Sequence, residues 1–264
     1  MNQASQNSPV LEARDAGMTF NPGTPYAVEA FRGVSFSVAP RETVAIVGPS
    51  GCGKSTLFNC IAGLLRPTSG AIFVGGKRVD DASGHVGYML QKDLLLPWRT
   101  VLENVVIGLE VRGVSRRVSE ERARTLIRSY GLAGFENAKP SQLSGGMRQR
   151  VAFMRTLAVD PEVILLDEPF SALDFQTRLL LQIETMSIIR EQSKSAILVT
   201  HDIGEAITMA DRIIVMTHRP ARVLAIHNVE LGQADRDPVN IRENPIYNAC
   251  FKKIWSELDA KVAV

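Results

Sequence analysis

The sequence is poor in cysteine and has no long apolar run. Its three cysteines, Cys52, Cys60 and Cys250, form no CxxC pair, so they predict neither a disulfide framework nor a zinc site. No apolar run reaches the roughly 18–20 residues that a membrane-spanning helix needs. The polar stretch from Met1 to Pro9 contains no hydrophobic signal region. We therefore expect a chain that is soluble by itself, although it can still sit on a membrane protein.

Neither sign of charge dominates. The 30 Lys and Arg residues are balanced by 28 Asp and Glu residues, which leaves a net charge of +2 at pH 7. This balance gives no argument for a nucleic acid or an acidic partner, and we expect no nucleic acid. Hydrophobic residues make up 45% of the 264 residues, which is ample for the core of one large domain or a domain with a subdomain.

One glycine-rich segment carries a phosphate-binding pattern. Residues 48–55 fit G-x-x-x-x-G-K-[ST] between an apolar, β-branched run at 43–47 and a predicted helix at 56–65. Glycines allow a close backbone approach, and the freed N–H groups form a nest for phosphate oxygens. Lys54 suits the β- and γ-phosphates, and the Ser55 hydroxyl suits Mg²⁺. The predicted ATP-binding residues are Gly48, Pro49, Ser50, Gly51, Cys52, Gly53, Lys54, Ser55 and Thr56. An oxidised Cys52 would crowd the phosphate, which favours a reducing compartment.

Two acidic residues follow a second apolar strand. The run 163–166 ends in Asp167 and Glu168. Because ligands of open α/β sheets bind beyond the carboxyl ends of the strands, Asp167 is predicted to hold Mg²⁺ through water. Glu168 is then placed to act as a general base on the attacking water. His201 follows another strand and can contact the γ-phosphate, and the Gln91 amide can touch Mg²⁺ and water. By residue type alone, structural roles explain His201 and Gln91 better than functional ones.

A second anion-binding pattern opens a later helix. The run Ser144-Gly145-Gly146-Met147 offers a hydroxyl, bare backbone N–H groups and a helix N-terminus to a phosphate. Because the chain already has one phosphate cradle, we favour an arrangement in which two copies of the chain clamp ATP between them.

The pattern of apolar residues divides the chain into regions. The first ~90 residues are rich in predicted strands, residues 93–159 are predicted helical, and strands return at 163–166, 196–199 and 212–216. Continuous apolar strands suit a parallel sheet covered on both faces. From Pro220 the chain is predicted to be a polar tail that ends in a helix starting at Asn244-Pro245. The apolar stripe of that helix, from Ile246 to Leu258, is predicted to pack on the same chain, with binding to a partner as the alternative.

These motifs, in this order, resemble the ATP-binding subunits of ABC transporters. The resemblance covers about Leu11 to Met216 and includes Ser171-Ala172-Leu173-Asp174. It implies an α/β fold: a P-loop NTPase core with a mainly parallel sheet, an N-terminal antiparallel β region and a helical insertion subdomain. We predict an ATPase domain at 10–219, with the subdomain at about 93–159, and a C-terminal tail at 220–264.

The resemblance also implies roles for residues. ATP on one P-loop would be covered by Ser144, Gly145 and Gly146 of a second copy in a head-to-tail dimer. Asp174 would lie across the dimer seam. Phe20 resembles the aromatic residue that stacks on adenine, with Tyr26 as its rival. Glu168, His201 and Gln91 would be catalytic, and Ser55, Gln91 and Asp167 would hold Mg²⁺.

Finer features are similar to importers for nitrate, alkanesulfonates and taurine. They are the segments 91–98, 167–178 and 200–206. Leu94, Leu95, Leu96 and Trp98 are predicted to form an apolar groove for a helix of the membrane subunit, with a buried turn as the alternative. The resemblance implies an ATP-hydrolysing importer subunit, peripheral on the cytoplasmic face of the inner membrane. Its partners would be permease subunits and, indirectly, a solute-binding protein.

Two other functions fit parts of the pattern. A soluble ABC-type ATPase of DNA repair or translation would usually show two cassettes or a long coiled-coil insertion, and neither occurs in this sequence. A P-loop kinase would need a region for its phosphate acceptor and has no use for Ser144, Gly145 and Gly146. The sequence does not encode the transported solute.

Overall fold

A computed structural model describes residues 8–82, 84, 86–232, 236–237 and 240–259. The polar N-terminal stretch therefore lies, up to residue 7, outside the described residues. The same holds for residues 233–235, 238–239 and 260–264 of the predicted tail.

Two β-sheets organise the chain. The first contains four strands in the order β2-β1-β4-β5, and its described pairings are antiparallel. Its strands are β1 (Leu11–Phe20), β2 (Val28–Val38), β4 (Ser69–Val74) and β5 (Lys77–Arg78). The second contains six strands in the order β10-β9-β3-β8-β7-β6. They are β3 (Thr43–Val47), β6 (Val86–Met89), β7 (Val163–Asp167), β8 (Ser195–Thr200), β9 (Arg212–Met216) and β10 (Val223–Asn228).

The six-stranded sheet is parallel except at one edge, where β10 runs antiparallel to β9. Helices connect its strands and cover its faces. They are α1 (Lys54–Ile61), α2 (Val101–Val111), α3 (Arg116–Ser129), α4 (Gly145–Ala158), α5 (Phe175–Glu191), α6 (Ile203–Met209) and α7 (Pro245–Asp259).

The central strands are buried on both faces. Alternate side chains point to opposite sides of a strand, so β3 supplies two cores. Ala45 and Val47 join a core with the helices α2 to α6, whereas Val44 and Ile46 join a core with α1 and the four-stranded sheet. This burial explains why these strands read as continuous apolar runs in the sequence.

The predicted fold class is confirmed: the chain is α/β, with an antiparallel N-terminal sheet and a mostly parallel sheet with helices. Strand β10 was not predicted. It lies in the segment interpreted as a polar tail, although residues 223–226 form a short apolar run, and at this edge of the sheet Leu224 is 37% and Ile226 43% exposed. Among the described residues, no helix is both long enough and apolar enough to cross a membrane.

The C-terminal helix α7 packs on its own chain, as predicted. Asn244 Oδ1 accepts a hydrogen bond from Ile246 N at 2.8 Å beside the first helical residue, Pro245. Tyr247 and Ile254 are buried, and the helix contacts α6 and β9. Trp255, on the predicted stripe, is instead 56% exposed.

Candidate ATP site

The P-loop joins the buried strand β3 to helix α1. Gly53 precedes the helix with a φ of 121°, a conformation that side chains with a Cβ rarely adopt. A Cβ at Gly53 would also lie 3.0 Å from the Ala30 carbonyl oxygen. Lys54 is 6% exposed, and its ammonium donates hydrogen bonds to the carbonyl oxygens of Gly48 at 2.8 Å and Pro49 at 3.0 Å. The cation is therefore held within the loop that the sequence identifies as a phosphate cradle.

Asp167, the last residue of β7, lies beside this loop. Its Oδ1 is 3.3 Å from the Ser55 hydroxyl, and its Oδ2 is 3.3 Å from the hydroxyl of Tyr88. Burial raises the pKa of Asp167 above its ordinary value, and the bonds from Ser55 and Tyr88 oppose that rise. A nearby cation would favour the ionised carboxylate for the same electrostatic reason.

Gln91, Glu168 and His201 converge on one carboxylate oxygen. Glu168 Oε2 lies 3.1 Å from Gln91 Nε2 and 3.2 Å from His201 Nδ1. Each residue follows the carboxyl end of one of three neighbouring parallel strands, β6, β7 and β8. Because those ends meet at one edge of the sheet, residues 77 and 33 positions apart along the chain come into contact.

The backbone of Glu168 has an uncommon conformation. Its φ is 45°, in the left-handed region where residues other than glycine are infrequent. The Glu168 N–H donates to the Val199 carbonyl oxygen at 2.8 Å, and the Glu168 carbonyl oxygen accepts from the Ser171 hydroxyl at 3.0 Å. The neighbouring strand and turn thus fix the backbone that aims this carboxylate, and such local strain is common at functional sites.

Ser144 and Asp174 cap two adjacent helices. Ser144 is exposed, and its side chain accepts a hydrogen bond from Met147 N at the start of α4. Asp174 does the same for Thr177 N at the start of α5, and this backbone bond lowers the pKa of Asp174. The two helix starts are close together, since a Cβ at Gly146 would lie 2.8 Å from Thr177 Cγ2.

The structure does not bring every predicted residue to the P-loop. Within the described part of the chain, no hydrogen bond or ion pair joins Ser144, Gly145 or Gly146 to residues 48–56. Phe20 and Tyr26 are 37% and 79% exposed. Both aromatic rings therefore stay candidates for stacking on adenine.

The prediction that Leu95 lines an apolar groove is wrong. Leu95 is 8% exposed and belongs to the core, whereas Leu94 is 53% and Trp98 69% exposed. The φ of Leu94 is 43°, and this left-handed turn sends consecutive leucines to different environments. Trp98 instead lines a cavity of about 760 Å³ beside α2 and α3. Its rim is charged, with ion pairs Arg99–Glu110 at 2.6 Å and Arg116–Glu120 at 2.7 Å.

Sequence reasoning missed three residues at the site. Tyr88 bonds Asp167, Ser171 lies 3.4 Å from Gln91 Nε2, and Arg219 Nη2 donates to the Gly51 carbonyl oxygen at 2.9 Å. Tyr88 lies in a strand and Arg219 in a loop, and neither belongs to a sequence motif that would indicate a role at the site. Ser171 was noticed only as part of the motif before Asp174.

Known proteins share both the sequence and the fold. Residues 31–171 match the ABC transporter family. The ABC transporter ATP-binding protein YtlC of Bacillus subtilis is 42% identical over 231 residues, covering 88% of this chain and 89% of that protein. The taurine import ATP-binding protein TauB of Rhizobium johnstonii is 46% identical over 198 residues, covering 75% of this chain and 76% of that protein.

A solved structure agrees with this assignment. It is a dimer of the ATP-binding cassette MJ0796 in a post-hydrolysis state, bound to ADP and Pi. It has a TM-score of 0.73 and 31% sequence identity, and the match covers 84% of this chain and 100% of that chain. Taken with the P-loop and the acidic strand end, these matches show that the chain belongs to the ABC transporter family and is the ATP-hydrolysing, ATP-binding subunit of a transporter.

Proposed function

We propose that the chain powers a membrane importer for a small solute of the nitrate, sulfonate or taurine type. The observation that carries the ATPase part is the convergence of Ser55, Asp167, Gln91, Glu168 and His201 at one edge of the sheet. The import part is supported by the relatives named for taurine import. On this proposal the subunit acts as a dimer on permease subunits at the cytoplasmic face of the inner membrane, and a solute-binding protein outside delivers the solute.

ATP would bind across the P-loop. Backbone N–H groups of residues 48–56 would cradle the phosphates, and Lys54 would exchange the Gly48 and Pro49 carbonyl oxygens for β- and γ-phosphate oxygens. An ammonium group suits this exchange because it is a compact charge with freely rotating donors. Phe20, or its rival Tyr26, would stack on the adenine.

The residues present fit Mg²⁺. This ion takes oxygen ligands, keeps several waters and is often bound by one or two protein groups together with substrate phosphates. Ser55 Oγ and Asp167 Oδ1 are 3.3 Å apart, and Asp167 is 6% exposed. Among the described residues there is no cluster of three His, Cys, Asp or Glu that would suit a metal held by protein side chains alone. Ser55, Asp167 through water, and Gln91 would hold the ion, which supplies charge neutralisation for the transferring phosphoryl group.

Glu168 would act as the general base. The side chains of Gln91 and His201 orient its carboxylate through Oε2. Glu168 would accept a proton from a water molecule as the water oxygen bonds to the γ-phosphorus and the bond to ADP breaks. His201, whose side chain is 59% exposed, would contact the γ-phosphate and so report its presence.

The second copy would complete each site. Ser144 is exposed and opens a 14-residue helix. The dimeric assembly of the MJ0796 cassette supports a dimer for this chain. We place Ser144, Gly145 and Gly146 of one copy over the γ-phosphate held by the other, with Asp174 at the seam. Closure then depends on a ligand contact that exists only in the closed state, as a two-state switch requires.

The decisive experiment uses Glu168→Gln. The amide cannot take the proton of water but leaves the phosphate contacts intact, so hydrolysis should fall by ~10²–10⁴-fold while MgATP still binds. Size-exclusion chromatography with and without MgATP should then show an ATP-dependent dimer. The control is Lys54→Ala, which should lose useful ATP binding. A Glu168→Gln chain that stays monomeric at saturating MgATP would overturn the dimer proposal, and parental hydrolysis by a folded Lys54→Ala chain would overturn the assigned site.

A further inference from the structure

The end of β9 and the segment that follows it lie close to the P-loop, in part through Ala30 of β2. A Cβ at Gly48 would lie 3.1 Å from the Met216 carbonyl oxygen, so the end of β9 touches the first glycine of the loop. Ala221 N donates to the Ala30 carbonyl oxygen at 3.0 Å, and that oxygen is the atom that crowds Gly53. Between these points, Arg219 contacts Gly51.

Arg219 makes a side-chain contact with the apex of the loop. Its Nη2 donates to the Gly51 carbonyl oxygen at 2.9 Å. In a trans peptide the carbonyl and the following N–H point in opposite directions, so the Cys52 N–H faces away from Arg219. That N–H donates to the Pro49 carbonyl oxygen at 3.3 Å, the same oxygen that accepts from Lys54 Nζ. The peptide between Gly51 and Cys52 is therefore held from both sides.

The guanidinium also adds charge to the loop. Burial raises the pKa of the Cys52 thiol, and the charges of Lys54 and Arg219 oppose that rise. A positive charge at this place favours any anion in the cradle. Its contribution is modest, because Arg219 is exposed and solvent screens it.

We propose that Arg219 is a positioning residue for nucleotide binding, which holds the Gly51 carbonyl so that the apex of the P-loop keeps the shape that receives phosphates. This inference rests on the proposed function, in which ATP occupies the P-loop. Arg219 touches neither Glu168, Gln91 nor His201 among the described contacts. It therefore acts on the affinity for nucleotide and not on the chemical step.

Three substitutions in the full chain test this role. Arg219→Ala should raise the Kd for ATP, measured without Mg²⁺ to prevent turnover, and the KM for MgATP by roughly three- to tenfold, with kcat changed by less than about twofold. Arg219→Lys keeps a charged donor and should restore most of the affinity. Arg222→Ala is the matched control: Arg222 is exposed in the same turn, and its side chain makes no hydrogen bond to the described part of the chain. It should bind ATP like the parent.

The outcomes separate this inference from the proposed site. If Lys54→Ala does not weaken ATP binding, the assigned nucleotide site itself is wrong. If Lys54→Ala weakens binding and Arg219→Ala does not, only the role of Arg219 is overturned. If Arg222→Ala weakens ATP binding as much as Arg219→Ala does, the role of Arg219 is also overturned, because the effect would then reflect the positive charge of the turn. If Arg219→Lys binds ATP as weakly as Arg219→Ala does, positioning through a charged donor is excluded.

Discussion

Asp167 is a carboxyl group that the fold buries beside the P-loop. Its burial raises its pKa above the ordinary value of 3.8. At a pH between the ordinary pKa and the raised pKa of the folded chain, Asp167 is more often protonated in the folded chain than in the unfolded chain. The free energy of unfolding therefore falls as the pH rises through that window. The free energy of unfolding stays lowered at neutral pH, so the buried position of Asp167 at the site destabilises the folded chain.

Asp167→Asn should therefore stabilise the isolated chain at pH 7. We expect a gain on the order of 1 kcal/mol, or about 2–4 °C in Tm for a chain of this size, while MgATP hydrolysis is lost. The gain should shrink as the pH is lowered towards 3.8, since the parental carboxyl becomes protonated. Thermal melts over a pH series measure this.

Asp160→Asn is the control with the opposite sign. The Lys194 ammonium at 2.6 Å holds the pKa of the exposed Asp160 below its ordinary value. Its removal should leave stability at pH 7 unchanged or lower it by less than about 1 kcal/mol. A lower Tm for Asp167→Asn than for the parent at pH 7 would contradict the argument.

For single residues, the sequence predicted which side chains belong to the site better than it predicted the contacts between them. The strand-end positions of Glu168 and His201 could be predicted, because parallel strands end at one edge of the sheet, whereas no strand was predicted before Gln91. Their meeting at a single oxygen depends on the register of β6, β7 and β8, which no motif encodes. Leu95 was misassigned for a similar reason. Neighbouring leucines look alike in sequence, and only the left-handed backbone at Leu94 separates the exposed one from the buried one.

Among the elements, helix α7 shows how the C-terminal segment is attached. Ile254 is fully buried, and Tyr247 packs beside Gly204 of α6, where an added Cβ would lie 2.7 Å from the tyrosine hydroxyl. A contact between His227 Nε2 and Glu257 Oε2 at 2.7 Å joins the helix to β10. The periodic stripe predicted the helix, but β10 was missed because the short apolar run at 223–226 was interpreted as part of the polar tail that starts at Pro220.

Ile254→Ala should destabilise the chain by about 2–5 kcal/mol, because it removes buried methyl groups and leaves a cavity. Trp255→Ala changes the next residue of the same helix. Trp255 is 56% exposed and stacks on Phe251 at 6.2 Å between ring centroids, so its loss should cost less than about 1 kcal/mol. Urea unfolding of both variants measures the difference. A parental midpoint for Ile254→Ala would mean that α7 is not packed on the body in solution.

For the whole molecule, we propose that the permease binds the surface around Trp98. Trp98→Ala should keep most of the ATPase activity of the isolated subunit, because the residue is 69% exposed and, within the described part of the chain, its side chain bonds no site residue. It should lose binding to the permease, since interfaces concentrate their energy in a few aromatic anchors. A pull-down with the membrane subunit measures this, with Trp255→Ala as the exposed-tryptophan control. Undiminished capture by a folded Trp98→Ala chain would exclude this surface. Leu95→Ala is unsuitable as a partner mutation, because Leu95 lies in the core.

Ser144 tests whether the molecule works as two copies. The residue caps α4 through Met147 N, so a substitution by Ala or Arg removes this cap at a cost of about 0.5–2 kcal/mol. Ser144→Ala removes the cap and the hydroxyl without adding bulk. Ser144→Arg adds bulk where, on the proposed dimer, the γ-phosphate of the opposite copy must fit.

The two variants should therefore differ in dimer formation and not in nucleotide docking. Ser144→Arg should bind ATP on its own P-loop within about twofold of the parent, because Ser144 makes no described contact with residues 48–56. Its ATPase rate should fall by more than ~10-fold, and in the Glu168→Gln background it should no longer form the ATP-dependent dimer, whereas Ser144→Ala should still form it. Nucleotide titration, steady-state hydrolysis and size-exclusion chromatography on the same preparations make the comparison. If the affinity of Ser144→Arg falls in parallel with its rate, Ser144 contacts nucleotide on its own chain and the head-to-tail arrangement is wrong.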